Sequence, residues 1–129
     1  LKSAEQVLAL KPDAAILAGL DIGVVGPRGK VGVVGATDQE GIAFEVRAFF
    51  PGNNGMAEDP VTGSLNAGLA QWLIGAGLAP TQYDAAQGPA MGRAGRVYVL
   101  QDPSTGAGQA ADIWIGGSSV TCINGQVLL

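Results

Sequence analysis

The densest chemistry in the chain lies in Glu58-Asp59-Pro60-Val61-Thr62-Gly63-Ser64. Two carboxylates stand first. Groups of this type accept hydrogen bonds from a substrate, or take a proton and return it. Pro60 stiffens the backbone, and Thr62, Gly63 and Ser64 form a small polar turn. An apolar run follows, Leu65 to Ile74, and reads as a helix. A helix start leaves backbone N–H groups unpaired at the positive end of the helix dipole, where an anion is favoured. The stretch therefore predicts a site for a carboxylate or phosphate, with Asp59 beside it. Glu58-Asp59 also fits the ordinary acidic bias ahead of a helix, and residue types alone leave both readings open. Asn66, in the first helical turn, either caps backbone or touches a ligand.

Several other chemistries are excluded or disfavoured. The chain has no histidine, which removes His bases, His-based triads and ordinary zinc sites. A single cysteine, Cys122, rules out an internal disulfide and a paired-cysteine acid/base couple within one chain. Its apolar, strand-like surroundings predict a buried, inert thiol. Net charge is −4 and the seven basic residues are scattered, so no nucleic-acid footprint is present. Gly26 to Lys30 lacks the spacing of a phosphate loop, and Val31 stands where Ser or Thr is needed. Gly106 to Ala111 fits a loose dinucleotide pattern but leads into a strand pattern rather than a helix. No signal peptide or membrane-spanning run is evident, which makes the cytoplasm the default. Leu1 at the start predicts a fragment or a processed product. Nothing in the residues calls for a cofactor or a metal.

The elements that must position these residues can be read from pattern. One domain, 1–129, is expected, with enough apolar content (47% hydrophobic, 14% charged) for a real core. Ser3 with Gln6 makes a capping box, opening a short helix through Leu10 that Pro12 stops. Ala14 to Ala18, Asp21 to Val25 and Lys30 to Val34 read as strands. The last two are joined by a hairpin turn at Gly26 to Gly29. Gly41 to Phe50 reads as a longer strand, on which Arg47 can pair with Glu45 or reach toward the polar turn. Pro51 to Gly55 reads as a loop. The central helix, about Ser64 to Gly75, is apolar nearly all round, which predicts burial all round. Trp72 and Trp114 are expected in the core. Strands are predicted at Thr81 to Ala86, Arg96 to Leu100, Ala110 to Ile115, Ser118 to Ile123 and Gln126 to Leu129, with a surface loop at Asp102 to Gly108. Asn124-Gly125 is a hairpin signal. The fold class is α+β: a curved, mostly antiparallel sheet wrapped around the central helix.

Glu58 to Ser64 resembles the motif of the PhzF-like, or phenazine biosynthesis isomerase-like, family, which has the diaminopimelate epimerase-like fold. Arg47 to Pro51 resembles the strand before that motif. Gln87-Gly88 with Gly92-Arg93 and Gly95-Arg96-Val97 resembles its downstream element, and Ile115-Gly116-Gly117 its late turn. The resemblance is to the C-terminal half, and it implies one of two similar halves with the active site in the cleft between. It assigns Asp59 as a catalytic residue, and Gly63 and Ser64 as residues that bind the substrate's polar groups. Asn66, by its place in the first helical turn rather than by the resemblance, is a further candidate substrate-binding residue. Gly63 would permit close backbone approach. The family needs no cofactor or metal.

Leu65-Asn66 departs from the Ala-His that many members carry after the Gly-Ser. The family's proton-transferring Glu belongs to an N-terminal half, and Glu45 does not match it. Two functions follow as expectations. One is the substrate-binding half of a cofactor-independent isomerase acting on a small carboxylate-bearing molecule. The other is a stand-alone, non-catalytic domain that binds small anions. Either way the expected partner is an N-terminal half or a second copy in a homodimer, with no nucleic acid and no membrane.

Overall fold

The computed structural model describes residues 1–53, 55–103 and 111–128. Two α-helices, α1 (Ala4–Ala9) and α2 (Gly63–Gly75), pack on a six-stranded sheet. The strands are β1 (Ile22–Pro27), β2 (Phe44–Gly52), β3 (Gly55–Asp59), β4 (Gln82–Gln87), β5 (Gly95–Gln101) and β6 (Ile113–Gly116). Their order is β1-β2-β4-β5-β6, with β3 also on β2. Every pairing is antiparallel except β2 with β4. That parallel pair is what α2 makes possible, because parallel strands need a long crossover between them.

The capping box forms as its residues dictate. Ser3 Oγ accepts from the Gln6 N–H at 3.4 Å, and Gln6 Oε1 accepts from the Lys2 N–H at 3.0 Å. The sheet separates the two helices. Val46, Tyr83, Ala85, Val97 and Val99 are buried with Ala70 and Leu73 of α2, and Ile113 and Ile115 pack against them. The opposite face carries α1. A Cβ at Gly26 would lie 2.6 Å from Ser3 O and 2.8 Å from Val7 Cγ2, so only glycine lets α1 approach β1 this closely.

The architecture is α+β, but the sheet is mixed and open rather than wrapped around a helix. Nor is α2 enclosed. Asn66, Ala70 and Leu73 form its buried stripe, whereas Trp72 is 57% exposed. Trp114, on the sheet face away from α2, is 58% exposed. An apolar helix surface predicts burial only where some element is available to cover it.

Other elements also depart from expectation. Ala14 to Ala18 forms turns, because the Asp13 carboxylate accepts from the N–H groups of Ala15 and Ile16 and competes with extended backbone. Lys30 to Val34 likewise turns, held by Val33 N–H to Lys30 O at 3.2 Å. The hairpin partner of β1 is β2 instead. Pro51, Gly52 and Gly55 belong to a β2–β3 hairpin. No strand forms over residues 118–128, whose pattern has strand propensity but which pair with none of the described strands. Cys122 is consequently exposed. Residues 104–110 lie outside the described residues, and with them most of the loop expected at Asp102 to Gly108 and of the Gly106 to Ala111 pattern. Leu129, the end of the last expected strand, does too. Among the described residues no helix is long and apolar enough to cross a membrane.

Candidate active site

Glu58 and Asp59 are neighbours on β3, and strand alternation sends them to opposite faces of the sheet. Glu58 meets Arg47 of β2 in a two-pronged ion pair. Nε donates to Oε1 and Nη2 to Oε2, each at 2.8 Å. Arg47 Nη1 also donates to the carbonyls of Val7, Leu8 and Leu10 at the end of α1. Hydrogen bonding to Glu58 raises the pKa of Arg47 above its ordinary value. Arg47 thus pairs with Glu58 and not with Glu45, and Glu58 has a structural partner on the α1 side.

Asp59 faces a cavity of about 570 Å³. Thr62 and Ser64 share its wall, Ile22, Phe50 and Leu65 supply apolar surface, and Asp21 adds a second carboxylate. Thr62 is the N-cap residue of α2, yet its side chain makes no capping hydrogen bond to the helix. Its hydroxyl donates instead to Asp59 Oδ2 at 2.7 Å. The helix start is thereby left without a side-chain cap, with Ser64 and Leu65 of the first turn on the cavity wall.

Behind the wall lies a buried amide pair. β4 and β3 occupy one edge of β2 in succession, Gln87 opposite Val46 and Asp59 opposite Ala48. This end-to-end arrangement brings the Gln87 side chain, fully buried, beneath the turn. Gln87 Nε2 donates to Asp59 O at 2.9 Å and to Thr62 Oγ1 at 3.0 Å. Gln87 Oε1 accepts from the Thr62 N–H at 3.1 Å and from Asn66 Nδ2 at 2.8 Å. Asn66 Nδ2 also donates to Thr62 O at 2.8 Å.

The structure therefore brings Asp59 and Ser64 together on one cavity, with Gly63 exposed at the helix start. Asn66, expected to contact substrate, is 1% exposed and lies under the wall, engaged with Thr62 and Gln87. Sequence reasoning missed Asp21, which had no signal beyond its place before a strand. It also missed the Gln87 contact, whose only signal was the Gln-Gly dipeptide. Among the described residues no group of three or more Cys, Asp or Glu is placed to hold a metal ion.

Gly88 completes the turn. Its φ is +105°, and a Cβ there would lie 2.8 Å from Pro60 O and 2.9 Å from Arg93 Cβ. Gly88→Ala is expected to cost about 1–3 kcal/mol through backbone strain, read as a lower urea midpoint. An unchanged midpoint would show that the turn relaxes freely.

Two comparisons bear on this geometry. Residues 1–125 match a family model described as phenazine biosynthesis-like protein. Comparison with curated proteins gives no match.

Proposed function

Since the chain belongs to the phenazine biosynthesis-like family, we propose that it is the substrate-binding half of a cofactor-independent isomerase. The reaction class is abstraction and return of a proton on a small carboxylate-bearing molecule. The observation that carries the reading is a single cavity shared by the Asp59 carboxylate and the start of α2. A substrate carboxylate would take the N–H groups of Gly63 and Ser64, and the helix dipole would favour it. Asp59 Oδ2 is engaged by Thr62, so Oδ1 is the oxygen left to meet a substrate proton, amine or hydroxyl. The complementary acid/base would come from the facing wall, on an N-terminal half or a second copy of the chain.

The exposed apolar surface supports such a partner. Leu1, Val33, Val34, Trp72 and Leu78 are each at least half exposed and line one groove of about 250 Å³. Contiguous apolar surface of this kind favours association. Native and denatured mass measurements test it. A mass of one subunit under native conditions, with no second half on the chain, would count against this part of the reading.

Asp59→Asn in the complete enzyme is expected to lower kcat by roughly a hundredfold or more, the usual scale of losing a general acid/base. Unchanged turnover would remove Asp59 from the mechanism. The uncapped helix start also favours a second reading, a non-catalytic domain that binds small anions. NMR titration with benzoate separates the two. Shifts at Gly63 and Ser64 without turnover in the complete protein support the second, and shifts with turnover support the first. No shifts would count against both.

A further inference from the structure

The hydrogen bonds beneath Asp59 run in one direction, and backbone groups set that direction. The Thr62 N–H can only donate and the Asp59 C=O can only accept. The Gln87 amide spans the two, so Oε1 must face Thr62 N and Nε2 must face Asp59 O. Asn66 gives Oε1 its second donor. The remaining proton of Gln87 Nε2 goes to Thr62 Oγ1 at 3.0 Å. A hydroxyl that receives there sends its own proton elsewhere, and Asp59 Oδ2 stands at 2.7 Å. The chain Asn66–Gln87–Thr62–Asp59 thus ends on one named carboxylate oxygen.

We propose that Thr62, Gln87 and Asn66 are positioning residues that reserve Asp59 Oδ2 for the protein and present Oδ1 alone to the bound molecule. This rests on the reading of Asp59 as the group that meets substrate. Gln87 and Asn66 are buried and do not line the cavity, so they act only through Thr62 and the Asp59 backbone. The gain is orientation. A carboxylate free to rotate would offer either oxygen, whereas one held by a short bond from Thr62 offers one oxygen in one place, which is how positioning lowers a barrier. The reach of the chain is also non-local. It ties β4 to the β3–α2 turn, so the orientation of Asp59 depends on Gln87, which is 28 positions from Asp59 and 25 from Thr62.

The test uses the full chain with 13C detection of side-chain carboxyls. In Thr62→Val the Asp59 Cγ resonance should move from its wild-type position, because its hydrogen-bond donor is gone. Thr62→Ser, which keeps the hydroxyl, should bring it back. Gln87→Leu should reproduce the Thr62→Val shift if it folds, and Asn66→Ala gives a milder perturbation of the same amide. In the complete enzyme, Thr62→Val should lower kcat roughly tenfold or more with little change in KM, the scale of one charge-assisted hydrogen bond, and Thr62→Ser should recover most of it. An Asp59 resonance that is the same in wild type and Thr62→Val overturns the proposal. If that resonance moves as expected but the wild type neither turns over substrate nor shows benzoate shifts, the hydrogen-bond chain stands and the functional reading of Asp59 falls.

Discussion

Arg47→Ala is expected to destabilise the fold by about 3–5 kcal/mol, the scale for removing one partner of a buried ion pair. Against a typical total of about 5–15 kcal/mol, that leaves the domain near its unfolding limit. The reason is specific. Arg47 and Glu58 side chains are 8% and 15% exposed, so Glu58 would be stranded without its counter-charge. Three carbonyls at the end of α1 would lose the guanidinium as a donor as well, although Val7 O keeps the Leu10 N–H. The guanidinium also stacks over Phe49, 4.7 Å from its ring centre. Arg47→Lys keeps the charge but lacks the planar fork, so it should recover only part of the loss. Arg47→Met with Glu58→Leu should be more stable than Arg47→Ala, because it leaves no buried charge unpaired. Urea midpoints of the four proteins check this ordering. A single Arg47→Ala variant as stable as wild type would show that the pair contributes little. Glu58 adjoins Asp59, so the same variant should also broaden the amide signals of the motif.

Glu45 should make the protein less stable as pH rises from about 5 to 8. Its side chain is fully buried on β2, and neither carboxyl oxygen has a hydrogen-bond partner among the described residues. Arg28 approaches only to 3.8 Å and is itself held by Asp38 at 2.9 Å. Burial pushes the Glu45 carboxyl up to about 7, with Arg28 and Arg47 opposing and Asp38 assisting. In the unfolded chain the group titrates near its ordinary value of 4.5. Between those two values the folded state holds a proton that the unfolded state has lost. The contribution is therefore fully present below the unfolded value and disappears as pH passes the folded one. Its size is roughly 3 kcal/mol, from about 1.4 kcal/mol per unit. The chain has no histidine, so no other side chain ordinarily titrates inside this window. Glu45→Gln removes the titration. It should be more stable than wild type at pH 8 and should flatten the slope between pH 5 and 8. A wild-type urea midpoint that is flat over that range would contradict the burial of a carboxyl without a hydrogen-bond partner.

Much of the site was legible in sequence because its signals are local. A proline, a polar turn and an apolar run over a few residues are enough to start α2, and they place Asp59 and Ser64 beside that start. The capping box of α1 and strands β1, β2, β4 and β5 were likewise written in short-range pattern. The order of the motif and its flanking elements was enough to indicate the family. What the sequence by itself determined is therefore the place of the helix start beside Asp59 and the identity of most elements. Partner choice and coverage were decided only by the tertiary structure. Arg47 stands two places from Glu45 but pairs with Glu58, because β3 lies against β2 and brings the better-placed carboxylate across. Gln87 meets Thr62 because β3 and β4 end on the same edge of β2. The outer side of α2, Trp72 and Trp114 stay exposed because hydrophobicity requires a covering surface, and that surface must come from outside their own segment. Periodicity tells which side chains share a face, but only the packing of distant segments decides what, if anything, lies against it.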